Sequence, residues 1–156
     1  NSNDWCHTNA VTYSAADDCL IASLRTQDCL IKFSAATGEL KWILGNPGNW
    51  QAPWSEKLLK PVGDVEWQYH QHDVSITPDG TVLCFDNGNF RALPFAETMP
   101  DEACYSRGVE YAVETWSRDR RDRSRQSRPT DVSDVVSLAK TNFEFSKEPP
   151  RRAFQS

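Results

Sequence analysis

Through its first 113 residues the chain offers only short apolar stretches, each cut off by a turn, and that spacing argues against helices from the outset. Ala10 to Ser14 alternates, Asp17-Asp18 turns the chain, and Cys19 to Leu24 and Cys29 to Phe33 are strand-length apolar runs. Ala35-Ala36-Thr37-Gly38 turns it again, and Leu40 to Leu44 closes the group. Turn signals at intervals of roughly 8–12 residues predict antiparallel meanders. Residues 45–61 contain Gly45, Pro47, Gly48, Pro53 and Pro61 and are predicted to be irregular, with one helical turn over Ser55 to Leu59. A second group follows, with Val74-Ser75-Ile76, a turn at Thr77-Pro78-Asp79-Gly80, and strands over Thr81 to Phe85 and Tyr105 to Val113.

The two groups match loosely. Each starts at a histidine, His7 or His72, enters an alternating strand, turns at acidic residues and runs apolar into a polar loop. Meanders that repeat at a few tens of residues are how the blades of a β-propeller read, so the fold class expected is all-β, built of antiparallel meander blades.

The bulk numbers narrow the function. A net charge of -5 argues against general nucleic-acid affinity. No apolar run approaches the roughly 18–20 residues needed to span a bilayer. The chain opens Asn1-Ser2-Asn3-Asp4, with no basic start and no apolar segment, and is expected to be a mature form, a processed product or a fragment. Five cysteines at 6, 19, 29, 84 and 104 have no zinc-ribbon spacing, and their odd count leaves at least one thiol unpaired within the chain. Composition changes at about Glu114: residues 117–128 read Ser-Arg-Asp-Arg-Arg-Asp-Arg-Ser-Arg-Gln-Ser-Arg. Such a segment has little apolar area to offset chain entropy, so residues 114–156 are expected to be a disordered or non-homologous tail.

Four polar residues at strand ends could meet on one anionic group. His7 and Asn9 are two apart at the start of a strand, so period-two alternation puts them on one face. Composition alone favours a strand-start histidine satisfied by backbone. Arg25 follows the apolar run from Cys19, where a guanidinium can hold a sulfate or phosphate by two parallel bonds, although a surface arginine is the simpler reading. His72 and His70 form a His-x-His pair on a predicted strand, a spacing that can chelate zinc or copper, but no further ligand motif supports a metal. Asp86-Asn87-Gly88-Asn89 has hairpin-turn chemistry, which is reason enough for its presence. Trp42, Trp50, Trp54 and Trp67 are expected as core and loop anchors, with an aromatic platform for a flat substrate as the alternative.

Taken in order, Asp4-Trp5-Cys6-His7-Thr8-Asn9, Ser23-Leu24-Arg25-Thr26-Gln27, Lys41-Trp42-Ile43-Leu44-Gly45, Gln71-His72 and Phe85-Asp86-Asn87-Gly88 resemble the motifs of the bacterial arylsulfate sulfotransferases, the arylsulfotransferases that do not use the nucleotide sulfate donor. Ser106-Arg107-Gly108-Val109-Glu110-Tyr111 looks like a further strand of that family. The resemblance covers roughly residues 3–113. It implies a six-bladed β-propeller with its site in the central channel. The implied reaction moves a sulfuryl group from a phenolic sulfate ester to an acceptor phenol, with neither metal nor other cofactor.

By motif, His72 matches the histidine that is transiently sulfurylated, and His7, Asn9 and Arg25 match residues that bind and polarise the sulfuryl group; His70 matches none. Full family members are several times longer and supply another catalytic histidine upstream of the Asp-Trp-x-His segment. Residues 1–113 are therefore expected to be two to three blades of a partial propeller with exposed sheet edges, and whether the isolated piece is active is left open. The partners implied are the phenolic sulfate donor and the phenol acceptor, with no nucleic acid and no membrane; a homo-oligomer is left open, and the location implied is periplasmic or exported. Two rival readings are a non-catalytic, propeller-derived module that binds an anion or aryl group, and a small metal-binding β-protein using His70 and His72.

Overall fold

The computed structural model describes residues 4–91 and 96–114, and the backbone of residues 135–146. Its regular structure is all-β, nine strands with three short 3₁₀ turns and no α-helix among the described residues. No helix among these residues is long and apolar enough to cross a membrane.

The first sheet is an antiparallel meander of β1 (Thr8–Ser14), β2 (Cys19–Leu24), β3 (Cys29–Ser34) and β4 (Leu40–Gly45), in that order. Its register decides which side chains share a face. Ala10, Ser23, Leu30 and Leu44 lie opposite one another, and so do Thr12, Ile21, Lys32 and Trp42 in the next row. Ile21, Leu30, Trp42 and Leu44 from these rows are buried in the core. Along a strand the faces alternate, so Ala22, Ile31 and Ile43 form a row on the reverse side.

The second sheet has the order β5-β9-β8-β7-β6, from β5 (Lys60–Pro61), β6 (His72–Ile76), β7 (Val82–Asp86), β8 (Tyr105–Glu114) and β9 (Val135–Ser146). Strands β6 to β9 repeat the antiparallel meander, whereas β5 adds a two-residue parallel contact to β9. The stretch 45–61, predicted to be irregular, thus ends in β5 and contains a 3₁₀ turn at Trp54–Lys57. β9 lies within residues 114–156, the stretch set apart by composition as a tail; the arginine run at 117–128 lies outside the described residues.

The core sits between the two sheets. Val74, Val82, Cys84, Val109 and Tyr111 of the second sheet meet the four core residues of the first, and Leu59 and Trp67 from the connection fill the gap. Burying each large side chain of this kind contributes about 1.5–3 kcal/mol. Trp67 stacks on Tyr111 with ring centroids 6.4 Å apart, and the Leu59 N–H donates to the Ile43 carbonyl at 2.9 Å. Trp42 and Trp67 are therefore core, as expected of them. The packing leaves β1 and β6, each the edge strand of its own sheet, lying side by side.

Candidate functional site

The site begins where the two edge strands start. His7 directly precedes β1 in the left-handed region, with φ of 43°. Its backbone N–H donates to Asp4 Oδ1 at 3.1 Å, and its ring Nδ1 pairs with Asp4 Oδ2. Arg25 opens the 3₁₀ turn Arg25–Gln27 at the end of β2, and its N–H donates to the His7 carbonyl at 3.2 Å. Thr26 Oγ1 donates to the Trp5 carbonyl at 2.6 Å, so the segment preceding β1 is tied to the turn following β2.

The alternation expected between His7 and Asn9 does not run through these positions. His7 is outside the strand, and the register skips from Thr8↔Leu24 to Ala10↔Ser23, leaving Asn9 as a bulged residue. A bulge re-aims a side chain. Here it lets Asn9 Nδ2 reach across the seam and donate to the Gln71 carbonyl at 2.8 Å, next to His72.

His72 is the first residue of β6 and pairs with Phe85 of β7. Its Nδ1 lies 2.8 Å from Asn87 Oδ1 and 3.1 Å from the His70 carbonyl oxygen. The segment leading to it threads between the sheets, bonded to both. Buried Gln68 donates through Nε2 to the Leu44 carbonyl at 3.2 Å, and the Tyr69 N–H donates to Asp86 Oδ1 at 2.8 Å. The His70 N–H donates to Asp28 Oδ1 at 2.5 Å. Buried Gln71 donates through Nε2 to the Cys29 carbonyl at 2.9 Å and to Ser23 Oγ at 3.1 Å, and its own carbonyl also accepts from Ser23 Oγ at 3.2 Å.

His70 and His72 do not form the strand pair predicted for a metal. His70 stands before the strand with φ of 50°, its Nδ1 is 3.3 Å from Asp28 Oδ1, and its ring meets Phe90 edge-on at 5.4 Å. The two imidazoles thus have different partners. Among the described residues no group of three or more His, Cys, Asp or Glu is placed to share a metal ion. Burial raises the Asp28 carboxyl above its ordinary value, against the opposing pull of His70.

Asp86-Asn87-Gly88-Asn89 is not a hairpin turn. The β6–β7 hairpin closes at 77–81, where Thr77 N–H donates to the Thr81 carbonyl at 3.0 Å, and the strand after Asp86, β8, begins only at Tyr105. The reason lies in charge. Asp86 is fully buried, and its Oδ2 accepts from Arg91 at 2.6 Å and from Arg107 Nε at 2.9 Å. Its Oδ1 accepts from the Gly88 N–H at 2.9 Å as well as from Tyr69. Glu66 closes the cluster, accepting from Arg107 at 2.6 Å and Arg91 at 3.2 Å. Burial pushes the Glu66 carboxyl up, but the Tyr105 hydroxyl and the two guanidinium groups outweigh it and hold it below its ordinary value. Only glycine fits at 88: with φ of 63°, an added Cβ would lie 1.8 Å from the Tyr105 carbonyl oxygen.

The aromatic platform considered for Trp50 and Trp54 has a counterpart on the other side of the molecule. A hollow of about 580 Å³ lined by Trp5, Leu24, Ile31, Phe33, Trp50 and Trp54 opens on the reverse face of the first sheet, away from the core.

The structure therefore brings His7, Asn9, Arg25 and His72 to one end of two adjoining strands, linked through named bonds. Sequence reasoning missed Asn87, which touches the His72 ring; its signal was the Phe85-Asp86-Asn87-Gly88 motif, which hairpin chemistry had accounted for. In residue types, this end carries two imidazoles, a guanidinium and a carboxamide, groups that can donate to an oxyanion.

The family model described as Arylsulfotransferase (ASST) matches residues 1–121. The arylsulfate sulfotransferase AssT of Escherichia coli O6:H1 is 35% identical over 130 residues, covering 71% of this chain and 21% of that protein. AssT of Lelliottia amnigena is 34% identical over 130 residues, with the same coverage of 71% and 21%. The chain thus spans about a fifth of the length of these curated relatives.

Proposed function

The chain belongs to the arylsulfotransferase family, and from that premise we propose that it is two blades of a six-bladed sulfotransferase with His72 as its nucleophile. The substrates in this reading are a phenolic sulfate ester as donor and a phenol as acceptor, and the location is periplasmic or exported. The observation that carries it is the bond from Asn9 Nδ2 to the Gln71 carbonyl, which sets the His7, Asn9 and Arg25 end of one sheet against the His72 end of the next.

The chemistry follows from the residue types. A neutral imidazole nitrogen attacks sulfur, the bond from sulfur to the phenolic oxygen breaks, and the electron pair leaves on a phenolate. Negative charge grows on that oxygen and on the sulfuryl oxygens during the step. Arg25, His7 and Asn9 supply donors for it, each worth roughly 3 kcal/mol when the site excludes water. Asn9 keeps a second amide N–H for this purpose while the first holds Gln71. In the second half the acceptor reacts as its phenolate, its proton having passed to solvent; the phenolate oxygen attacks sulfur, the nitrogen–sulfur bond breaks and the pair returns to the imidazole. The two halves give ping-pong kinetics.

The test is intact-protein mass after brief incubation with 4-nitrophenyl sulfate, quenched without acid because a nitrogen–sulfur bond to imidazole is acid-labile. Wild-type chain is expected to gain one sulfuryl group, and His72→Ala to gain none. A His72→Ala variant that still gains the group would remove His72 from this role, and a folded wild-type chain that stays at its starting mass would mean that the remaining blades are required or that the chain only binds an anion.

A further inference from the structure

We propose that Asn87 is the positioning residue for His72: with the His70 carbonyl it holds the ring in the Nδ1–H tautomer, so that Nε2 is the atom that takes the sulfuryl group. The inference rests on the sulfotransferase reading for its chemistry but on geometry for the tautomer.

A neutral imidazole carries one proton, and the partner of one ring nitrogen decides where it sits. His72 Nδ1 has two partners, Asn87 Oδ1 at 2.8 Å and the His70 carbonyl oxygen at 3.1 Å. A backbone carbonyl only accepts, so Nδ1 must be the donor, and the nearby carboxamide must present its oxygen. A lone pair at Nδ1 would face two oxygens with no proton between them. The proton is therefore fixed at Nδ1 and the lone pair at Nε2.

Both acceptors are held by structure beyond themselves. The Asn87 carbonyl accepts from Ser106 Oγ at 2.8 Å, and its neighbours Asp86 and Gly88 are bonded to each other and to Tyr69. The His70 carbonyl is aimed by a left-handed backbone whose N–H is fixed to Asp28. The backbone that carries each acceptor is thus tied to its surroundings.

The arrangement suits both halves of the reaction. When Nε2 attacks sulfur and the phenolate departs with the ester electron pair, the ring becomes an N-sulfoimidazolium and retains its Nδ1 proton. The two oxygens then face a cationic N–H, which they stabilise more than the neutral ring. When the acceptor oxygen takes the sulfuryl group, the pair returns to Nε2 and the original tautomer is regenerated with no proton moved at Nδ1.

The experiment is nitrogen-15 NMR of the histidine rings in the whole chain, with and without Asn87 substitutions, alongside the rate at which 4-nitrophenyl sulfate adds mass. Wild type is expected to show His72, assigned by its loss in His72→Ala, as Nδ1–H with an unprotonated Nε2. Asn87→Ala leaves Nδ1 with the longer bond to the His70 carbonyl, and is expected to admit a measurable share of the Nε2–H tautomer and to slow sulfurylation by roughly 10- to 100-fold, the usual cost of a lost outer partner. Asn87→Asp keeps an acceptor oxygen and is expected to retain the signature, which a merely structural role for Asn87 does not require. A His72 protonated at Nε2 in wild type overturns the proposal even if Asn87→Ala fails to fold, as does an unchanged tautomer in folded Asn87→Ala. The expected tautomer in a wild-type chain that gains no mass supports the positioning by Asn87 and counts against the sulfotransferase reading alone.

Discussion

The starts of β1 and β6 are alike in sequence and unlike in support. Each carries a histidine at the head of an edge strand, 65 residues apart. Yet His7 is held by a local pair with Asp4, both side chains about half exposed at 44% and 54%. His72 is preceded by buried Gln71, which bonds strands of the other sheet, and is flanked by a loop fixed on fully buried Asp86. Two similar sequence signals thus give one rigid anchor and one lightly tethered arm. The difference matches the roles proposed for them, since a nucleophile must keep its angle of attack whereas an oxyanion donor can tolerate more play.

The contrast breaks first if Asp86 proves dispensable. Asp86→Ala leaves Arg91 and Arg107 buried without their shared carboxylate, and is expected to destabilise the chain by about 3–5 kcal/mol in urea unfolding. A loss under about 1 kcal/mol would mean that the second sheet does not rely on this cluster. Gln71→Ala comes next. It abandons carbonyls of the first sheet that accept from its amide, and is expected to cost about 1–3 kcal/mol by the same measurement.

Acid titration sharpens the comparison through two carboxylates on the His72 side. Glu66 is lowered in the folded chain, so its stabilisation is present above its ordinary value near 4.5 and is lost as pH falls through the lowered one. Asp28 is raised, so its ionised form is a cost that disappears as pH falls from the raised value towards 3.8. Glu66→Gln should therefore flatten the loss of stability in acid, and Asp28→Asn should steepen it. Urea midpoints between pH 3 and pH 7 read both slopes, and like-signed changes would contradict the assignment. The smallest effect belongs to the tethered arm: Asp4→Asn should shift stability by no more than about 0.5 kcal/mol, because exposed pairs are worth little.

Much of the fold was legible in the chain because strands announce themselves by length and punctuation. Cys19–Leu24 appears as read, and most other strands differ by a residue or two at their ends. What could not be read was long-range charge. Nothing local to Asp86 says that Arg91, Arg107 and Glu66 will converge on it, so a turn-forming motif passed for a hairpin when it is a buried anchor. The period-two placement of His7 and Asn9 failed for a related reason. Alternation assumes an unbroken strand, and neither a left-handed residue nor a bulge is written in so few residues. The candidate residues could be named from their motifs, whereas the groups that orient them, Asn87 above all, depend on contacts between distant segments.

The Asn9-to-Gln71 bond makes the candidate site a joint, because its two halves ride on different sheets. A ligand gripping both halves acts as a clamp across the joint. At a hundredfold excess over its dissociation constant such a clamp adds about 2.7 kcal/mol to the folded, closed state. Reciprocity then requires that prising the sheets apart loosens the ligand by the same factor by which the ligand resists the prising. Affinity and mechanical strength become one quantity, and a pulling experiment on the two sheets measures binding without any chemistry taking place.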